Sequence, residues 1–259
     1  MKRLIGLIQG ILPFFAAMLM QYSLIILLQF GIKIATGSDL WDISVYYIGA
    51  IAAFLCGMIF FFWYANTVHY YKLVLPRQVF QVKSILLLIG LGVAAQFAIS
   101  GMMSLLQPFL HQLFRDYKQV VDSILNHNIN VVLLYVVIIA PITEELIFRG
   151  VMLAKLREAI PFYGANLIQA ATFGIYHWNI IQGVYAFGVG LLFGYVARRF
   201  RSLTASILLH MAVNGASFIV VWVPNKTAFF ILSTVAGLLA MVTFLYFINR
   251  KTVGSGHNE

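Results

Sequence analysis

Long apolar runs alternate with short polar breaks along the whole chain. Eight runs can be drawn, at 8–32, 43–65, 84–106, 129–154, 163–180, 183–198, 203–222 and 227–248. Each approaches or exceeds the ~20 apolar residues that a helix needs to cross a bilayer. The first begins "MKRLIGLIQGILPFFAAMLMQ", like a secretion signal, but it runs on to about Ile32 without a small-residue cleavage site. It therefore reads as a retained span. Between the third and fourth runs the pattern changes. In "PFLHQLFRDYKQVVDSIL", Leu110, Leu113, Phe114, Tyr117, Val121 and Ile124 recur at helical spacing opposite Arg115, Asp116, Lys118 and Asp122. That spacing predicts an amphipathic helix on the membrane surface. The sixth run carries Ala186, Gly190 and Gly194 four residues apart, a small-residue face that lets a neighbouring helix approach closely. The expected fold is all-α: about eight transmembrane helices plus one surface helix, in a single integral-membrane domain over 1–259.

Composition agrees with the pattern. The chain is 62% hydrophobic and 10% charged, against about 25% charged in soluble domains. Its net charge of +9 does not indicate a nucleic-acid partner, because the cations stand in short clusters between apolar runs. With eight spans, Lys2, Arg3, Lys72, Arg77, Lys83, Lys155, Arg157, Arg198, Arg199, Arg201, Arg250 and Lys251 share the side of the termini, and only Lys33, Arg115, Lys118 and Lys226 take the other. Twelve cations against four, Arg149 being intramembrane, predict cytoplasmic termini. The single cysteine, Cys56, offers neither a disulfide nor a CxxC metal knuckle.

Ionisable groups inside membrane spans mark functional sites by default. Three runs hold them: Glu144, Glu145 and Arg149 in the fourth, His177 in the fifth, and His210 with Asn214 in the seventh. Glu145 and Arg149 lie four residues apart on one helix face, so each can offset the other's burial. Glu144 is turned about 100° away and is free to meet another helix. Phe173 and His177 share a face, as do His210 and Asn214. Singly, these residues have ordinary structural readings as a stapling ion pair or as interhelical hydrogen-bond partners. Jointly, a carboxylate, two imidazoles and an amide can activate water and stabilise an oxyanion. The remaining histidines, His69, His111, His127 and His257, fall in loops, at helix ends or in the tail and take no role.

The ordered motifs "EELIFR" (Glu144 to Arg149), "FGIYH" (Phe173 to His177) and "HMAVN" (His210 to Asn214) fit EExxxR, FxxxH and HxxxN. In this the chain resembles the CPBP family of CAAX proteases and bacteriocin-processing enzymes, over roughly 129–222. The resemblance implies an eight-helix intramembrane peptidase, open toward the cytoplasm, with 129–222 as its catalytic core. Glu144 would activate the attacking water with help from His177, His210 and Asn214 would stabilise the oxyanion, and Glu145 and Arg149 would hold them in place, beside Phe173. It further implies a membrane-associated peptide or protein as substrate, and the compact basic chain looks more like the bacterial members, with roles in bacteriocin maturation or immunity. Glu144, His177 and His210 form a donor set that zinc accepts, but no HExxH is present, so a metal-dependent and a metal-free mechanism both remain open.

Depth adds a constraint. Glu144 lies about 15 residues from the outer start of its run, in the cytoplasmic half at ~1.5 Å per residue. For His177 to reach the same level, its helix is expected to start late, near Leu167, with "PFYGAN" as a connection. Two other functions compete with an endopeptidase. A transporter would use the same groups as a relay, but predicts an internal repeat, which is not evident. A non-catalytic immunity or scaffold protein would retain its function with Glu144→Gln. Serine and aspartyl intramembrane types are disfavoured by the lack of GxSG and GxGD.

Overall fold

A computed structural model describes residues 2–37, 41–67, 79–220 and 226–253. His69, Lys72, Arg77 and His257 lie outside the described residues. The described chain is helical throughout, without a strand. Its helices are α1 (Lys2–Thr36), α2 (Trp41–Thr67), α3 (Val82–Leu106), α4 (His111–Leu125), α5 (Ile129–Ala159), α6 (Phe162–Tyr176), α7 (Ile180–Phe200), α8 (Leu203–Val220) and α9 (Thr227–Val253). Seven helices among the described residues are long and apolar enough to cross a membrane. The chain is an all-α, multi-pass membrane protein.

The exception among the eight expected spans is the fifth. Helix α6 has 15 residues, roughly 22 Å of rise against a hydrocarbon core of about 30 Å. It also begins at Phe162, directly after Pro161, and not near Leu167. A late start follows from an apolar run that ends at 154, whereas α5 continues to Ala159. Fifteen positions separate Glu144 from Ala159, and fifteen separate Phe162 from His177. The two legs of this hairpin are equal, so His177 reaches the level of Glu144 with the turn at 160–161. For the same reason Glu144 lies at the middle of its 31-residue helix, not in one half.

Close contacts fix which ends lie together. Gly6 and Gly10 of α1 meet Ala159 and Leu156 at the end of α5. The Arg198 guanidinium lies 4.3 Å from the Phe162 ring centroid, and Arg199 Nη2 donates to Asn249 O at 2.6 Å. The ends of α5, α7 and α9 and the starts of α1 and α6 therefore share one end of the bundle, the terminal end. The opposite end holds α4, the start of α5 and the α6–α7 turn. There the His127 ring stacks on Tyr46 at 4.5 Å, and Tyr117 Oη of α4 lies 3.4 Å from Tyr185 Oη of α7.

Helices α6 and α7 form a tight antiparallel pair, as the small-residue face predicts. A Cβ added to Gly190 would stand 3.2 Å from Ala170 Cα and from Phe173 Cδ1, and one added to Gly194 would fall on the Asn166 side chain. The Asn166 amide donates across the same gap to Leu191 O at 3.0 Å. Gly190→Leu should therefore lower stability by about 1–3 kcal/mol through overpacking. Gly188→Ala, whose added Cβ meets nothing within 4 Å, should not. Thermal unfolding of the two variants in detergent measures the contrast.

Candidate active site

Helix α5 is not regular around its glutamates. Asn128 caps its start by accepting from Asn130 N at 3.0 Å. The helix then widens into π-helical turns at Leu134–Ile139, tightens over Ala140–Glu145 and widens again at Leu146–Met152. Such π-helical insertions concentrate at functional sites. Pro141 explains part of the first one. Ala140 N donates five residues back to Tyr135 O. The next amide in that register would be residue 141, a proline without an N–H. Its natural acceptor, Val136 O, instead takes Asn214 Nδ2 of α8 at 2.9 Å. One of the two amide hydrogens of Asn214 thus satisfies a carbonyl that the proline leaves unpaired.

Behind the site lies an ion pair with no exposed surface. Arg149 Nη1 donates to Glu145 Oε1 at 2.8 Å with both side chains at 0% exposure. Arg149 Nη2 donates to Gly190 O at 3.1 Å. The guanidinium carbon sits 4.4 Å from the Phe173 ring centroid and 5.1 Å from that of Phe193. The helical spacing predicted the first of these contacts; the others come from two other helices, α6 and α7.

His210 joins this pair to the second glutamate. Its Nδ1 lies 2.9 Å from Glu145 Oε1, and since a carboxylate only accepts, Nδ1 carries the hydrogen. Its Nε2 lies 3.6 Å from Glu144 Oε2. Glu145 therefore serves Arg149 and His210 together, a bond from α5 to α8 that helical spacing does not reveal. The His210 ring stacks on Phe193 at 4.5 Å. His177, which caps the end of α6, uses Nδ1 to donate to Phe173 O at 2.8 Å, so its neutral form presents Nε2 as an acceptor. The Phe173 ring stands edge-on to both imidazoles, 4.9 Å from His177 and 5.8 Å from His210.

Glu144, Phe173, His177, His210 and Asn214 all line one cavity of about 960 Å³. The fold thus brings together the candidates from three motifs, with Glu145 and Arg149 buried behind the wall. Sequence reading passed over other lining groups: Gln21 and Gln96, Tyr135, and Tyr176, whose hydroxyl donates to Gln21 Oε1 at 2.6 Å. Gln21 and Gln96 carried a legible signal, an amide inside an apolar run. Helix α4 also departs from its expected role as a purely surface helix, because Phe114, Tyr117 and Val121 form part of the cavity wall.

The cavity extends to Gln107, His111, Arg115 and Lys118, at the end opposite the termini. Two expectations, cytoplasmic termini and a cytoplasmic opening, therefore exclude each other. Among the described residues no group of three His, Cys, Asp or Glu side chains stands close enough to hold a metal ion.

Residues 126–216, about a third of the chain, match the family model "Type II CAAX prenyl endopeptidase Rce1-like". The resemblance to the CPBP family holds over this segment. It spans the start of α5 to α8 and contains all three motifs. A curated relative, "Putative membrane peptidase YdiL" of Bacillus subtilis (strain 168), is 31% identical over 84 residues, 32% of this chain and 34% of that protein. The match thus spans about a third of that relative's length. No solved structure matches.

Removing one partner of a buried ion pair leaves an uncompensated charge, at about 3–5 kcal/mol. Arg149→Met should lose that much stability, and Glu145→Leu combined with Arg149→Met should recover part of it. Thermal unfolding of both variants in detergent reads the difference.

Proposed function

We propose that the chain is an intramembrane endopeptidase that hydrolyses a peptide bond of a membrane-associated peptide or protein, with 129–222 as its catalytic core. One observation carries this reading: Glu144, His177, His210 and Asn214, from three separate helices, line one cavity inside a membrane protein. The match of 126–216 to a CAAX endopeptidase family model supports it.

In the proposed mechanism the Glu144 carboxylate accepts a proton from water as the water oxygen adds to the scissile carbonyl carbon. His177, with its Nδ1 hydrogen committed to Phe173 O, offers Nε2 as a second acceptor that orients the same water. The carbonyl oxygen becomes an oxyanion. His210, whose Nδ1 donates to Glu145 Oε1, donates to the oxyanion from Nε2 in its doubly protonated form. The second amide hydrogen of Asn214 is the other donor. Collapse of the tetrahedral intermediate breaks the C–N bond, and the proton held by Glu144 passes to the leaving amine. Arg149 and Glu145 act as positioning residues for His210.

A cavity of about 960 Å³ lies near the upper end of the ~300–1,000 Å³ typical of ligand pockets, which suits a peptide segment lying within the bilayer. The proposed location is the cell membrane, with the cation count supporting cytoplasmic termini for this multi-pass protein.

The test uses purified protein and a set of membrane-anchored fluorogenic peptides, prenylated CAAX peptides among them. Glu144→Ala and His177→Ala should each reduce cleavage by at least ~100-fold, the scale of lost general-base catalysis, with the unfolding temperature retained. Asn214→Ala should cost about 100-fold or more as a lost oxyanion donor. Cleavage at the wild-type rate by Glu144→Ala would refute the mechanism. A chelator should leave the rate unchanged.

A further inference from the structure

We infer that the cavity is reached from the non-cytoplasmic face of the membrane, so that its substrates are membrane-anchored polypeptides carrying an apolar segment at that face. The inference rests on the peptidase reading for the word substrate, and on independent observations for the side of access.

The bundle has two chemically different ends. At the terminal end the described helices carry ten cations: Lys2 and Arg3 on α1, Lys83 on α3, Lys155 and Arg157 on α5, Arg198, Arg199 and Arg201 at the end of α7, and Arg250 and Lys251 on α9. At the other end the described residues hold four, Lys33, Arg115, Lys118 and Lys226, among three aspartates, Asp42, Asp116 and Asp122. Orientation follows the Lys and Arg excess in short segments next to the spans, with acidic residues contributing little. Ten against four places the terminal end in the cytoplasm.

The cavity belongs to the other end. Its wall is built from the second half of α3 (Gln96, Met103), the start of α5 (Tyr135, Val136), the start of α7 (Gln182, Tyr185) and α4. None of the ten terminal-end cations lines it, whereas Arg115 and Lys118 do. Helix α4 gives this rim its character. Phe114, Tyr117 and Val121 supply the apolar part of the wall, while Lys118, 72% exposed and paired with Asp122, and Arg115 supply its charged rim. A helix with one apolar and one charged face lies in the plane of the membrane interface, so the rim lies at that boundary.

Trp178 adds to the same rim. It lines the cavity, is 70% exposed and has φ +53° immediately after His177. A left-handed residue ending a helix is usually glycine. An exposed tryptophan in that conformation is a strained residue at the boundary where tryptophan anchors chains to the interface. An apolar segment resting in the adjacent leaflet meets Trp178 and the apolar face of α4 first, and Glu144 only deeper in.

Cysteine labelling in intact bacterial cells tests the side of access without reference to cleavage. The only natural cysteine, Cys56, is buried, so the full-length wild-type chain sets the background. Single substitutions are made at Ser123 on α4, at Ser217 on the cavity wall and at Glu158 at the terminal end: Ser123→Cys, Ser217→Cys and Glu158→Cys. With a membrane-impermeant maleimide, the Ser123 and Ser217 variants should label at least tenfold more than the Glu158 variant, which should label only after permeabilisation. The reverse pattern, or labelling at Ser217 only from the cytoplasmic side, overturns the inference. A second arm offers the anchored fluorogenic peptides to intact cells and to inverted membrane vesicles. Glu144-dependent cleavage in the cells alone supports the inference, and cleavage in the vesicles alone overturns it. No cleavage in either preparation, with the expected labelling, leaves the access side standing and removes the peptidase reading.

Discussion

The site is arranged around one buried cation. Arg149 has no exposed surface and sits near the middle of a membrane-spanning helix, where an unpaired charge is strongly disfavoured. Its surroundings meet that constraint in three ways. Glu145, one turn earlier on the same helix, supplies the opposite charge; the Gly190 carbonyl on α7 accepts from the second guanidinium nitrogen; and the faces of Phe173 and Phe193 cover the plane. Each partner is held in turn. Gly190 lies against Ala170 and Phe173 because neither a Cβ nor a longer side chain intervenes, which brings its carbonyl within reach. Glu145 has an acceptor oxygen shared with His210, so the cation on α5 also sets the position of an imidazole on α8. Fixing Arg149 fixes the relation of four helices.

A second constraint comes from the backbone. Pro141 stands three residues before Glu144, and the helix responds by widening on its N-terminal side. A carbonyl without its usual amide is expensive inside a bilayer, and Asn214 supplies the missing donor. The irregularity of α5 and the presence of an amide on α8 are thus two sides of one arrangement. It ties the level of Asn214 to that of the glutamates. A regular helix in place of Leu134–Ile139 would turn Glu144 to a different azimuth relative to α6 and α8.

Much of this was legible in the chain. Apolar runs of membrane-crossing length established an all-helical membrane protein, and the five-residue span from Glu145 to Arg149 predicted their pairing, because helical periodicity is a local property. Three motifs on three runs identified the groups that line the cavity. What escaped were relations between distant segments. The bond between His210 and Glu145 crosses 65 positions. The equal legs of the α5–α6 hairpin escaped because the apolar run 129–154 ends before the helix does: Lys155 and Arg157 are charged yet helical. Helix α6 reads as a full span because the apolar run 163–180 continues through the turn after Tyr176, although the helix does not.

The sequence alone therefore determined that this is a helical membrane protein with a cluster of ionisable groups, which end of it is basic, and which residues are the candidates for its chemistry. These depend on composition and on contacts within one or two helical turns. The tertiary structure decided that the groups face one cavity, that Glu145 supports both Arg149 and His210, that α4 forms part of the wall, and that the cavity extends toward the end away from the termini. Those depend on how helices far apart in the chain are laid side by side, a choice made by close packing at Gly190 and by the need to pair every buried charge and carbonyl.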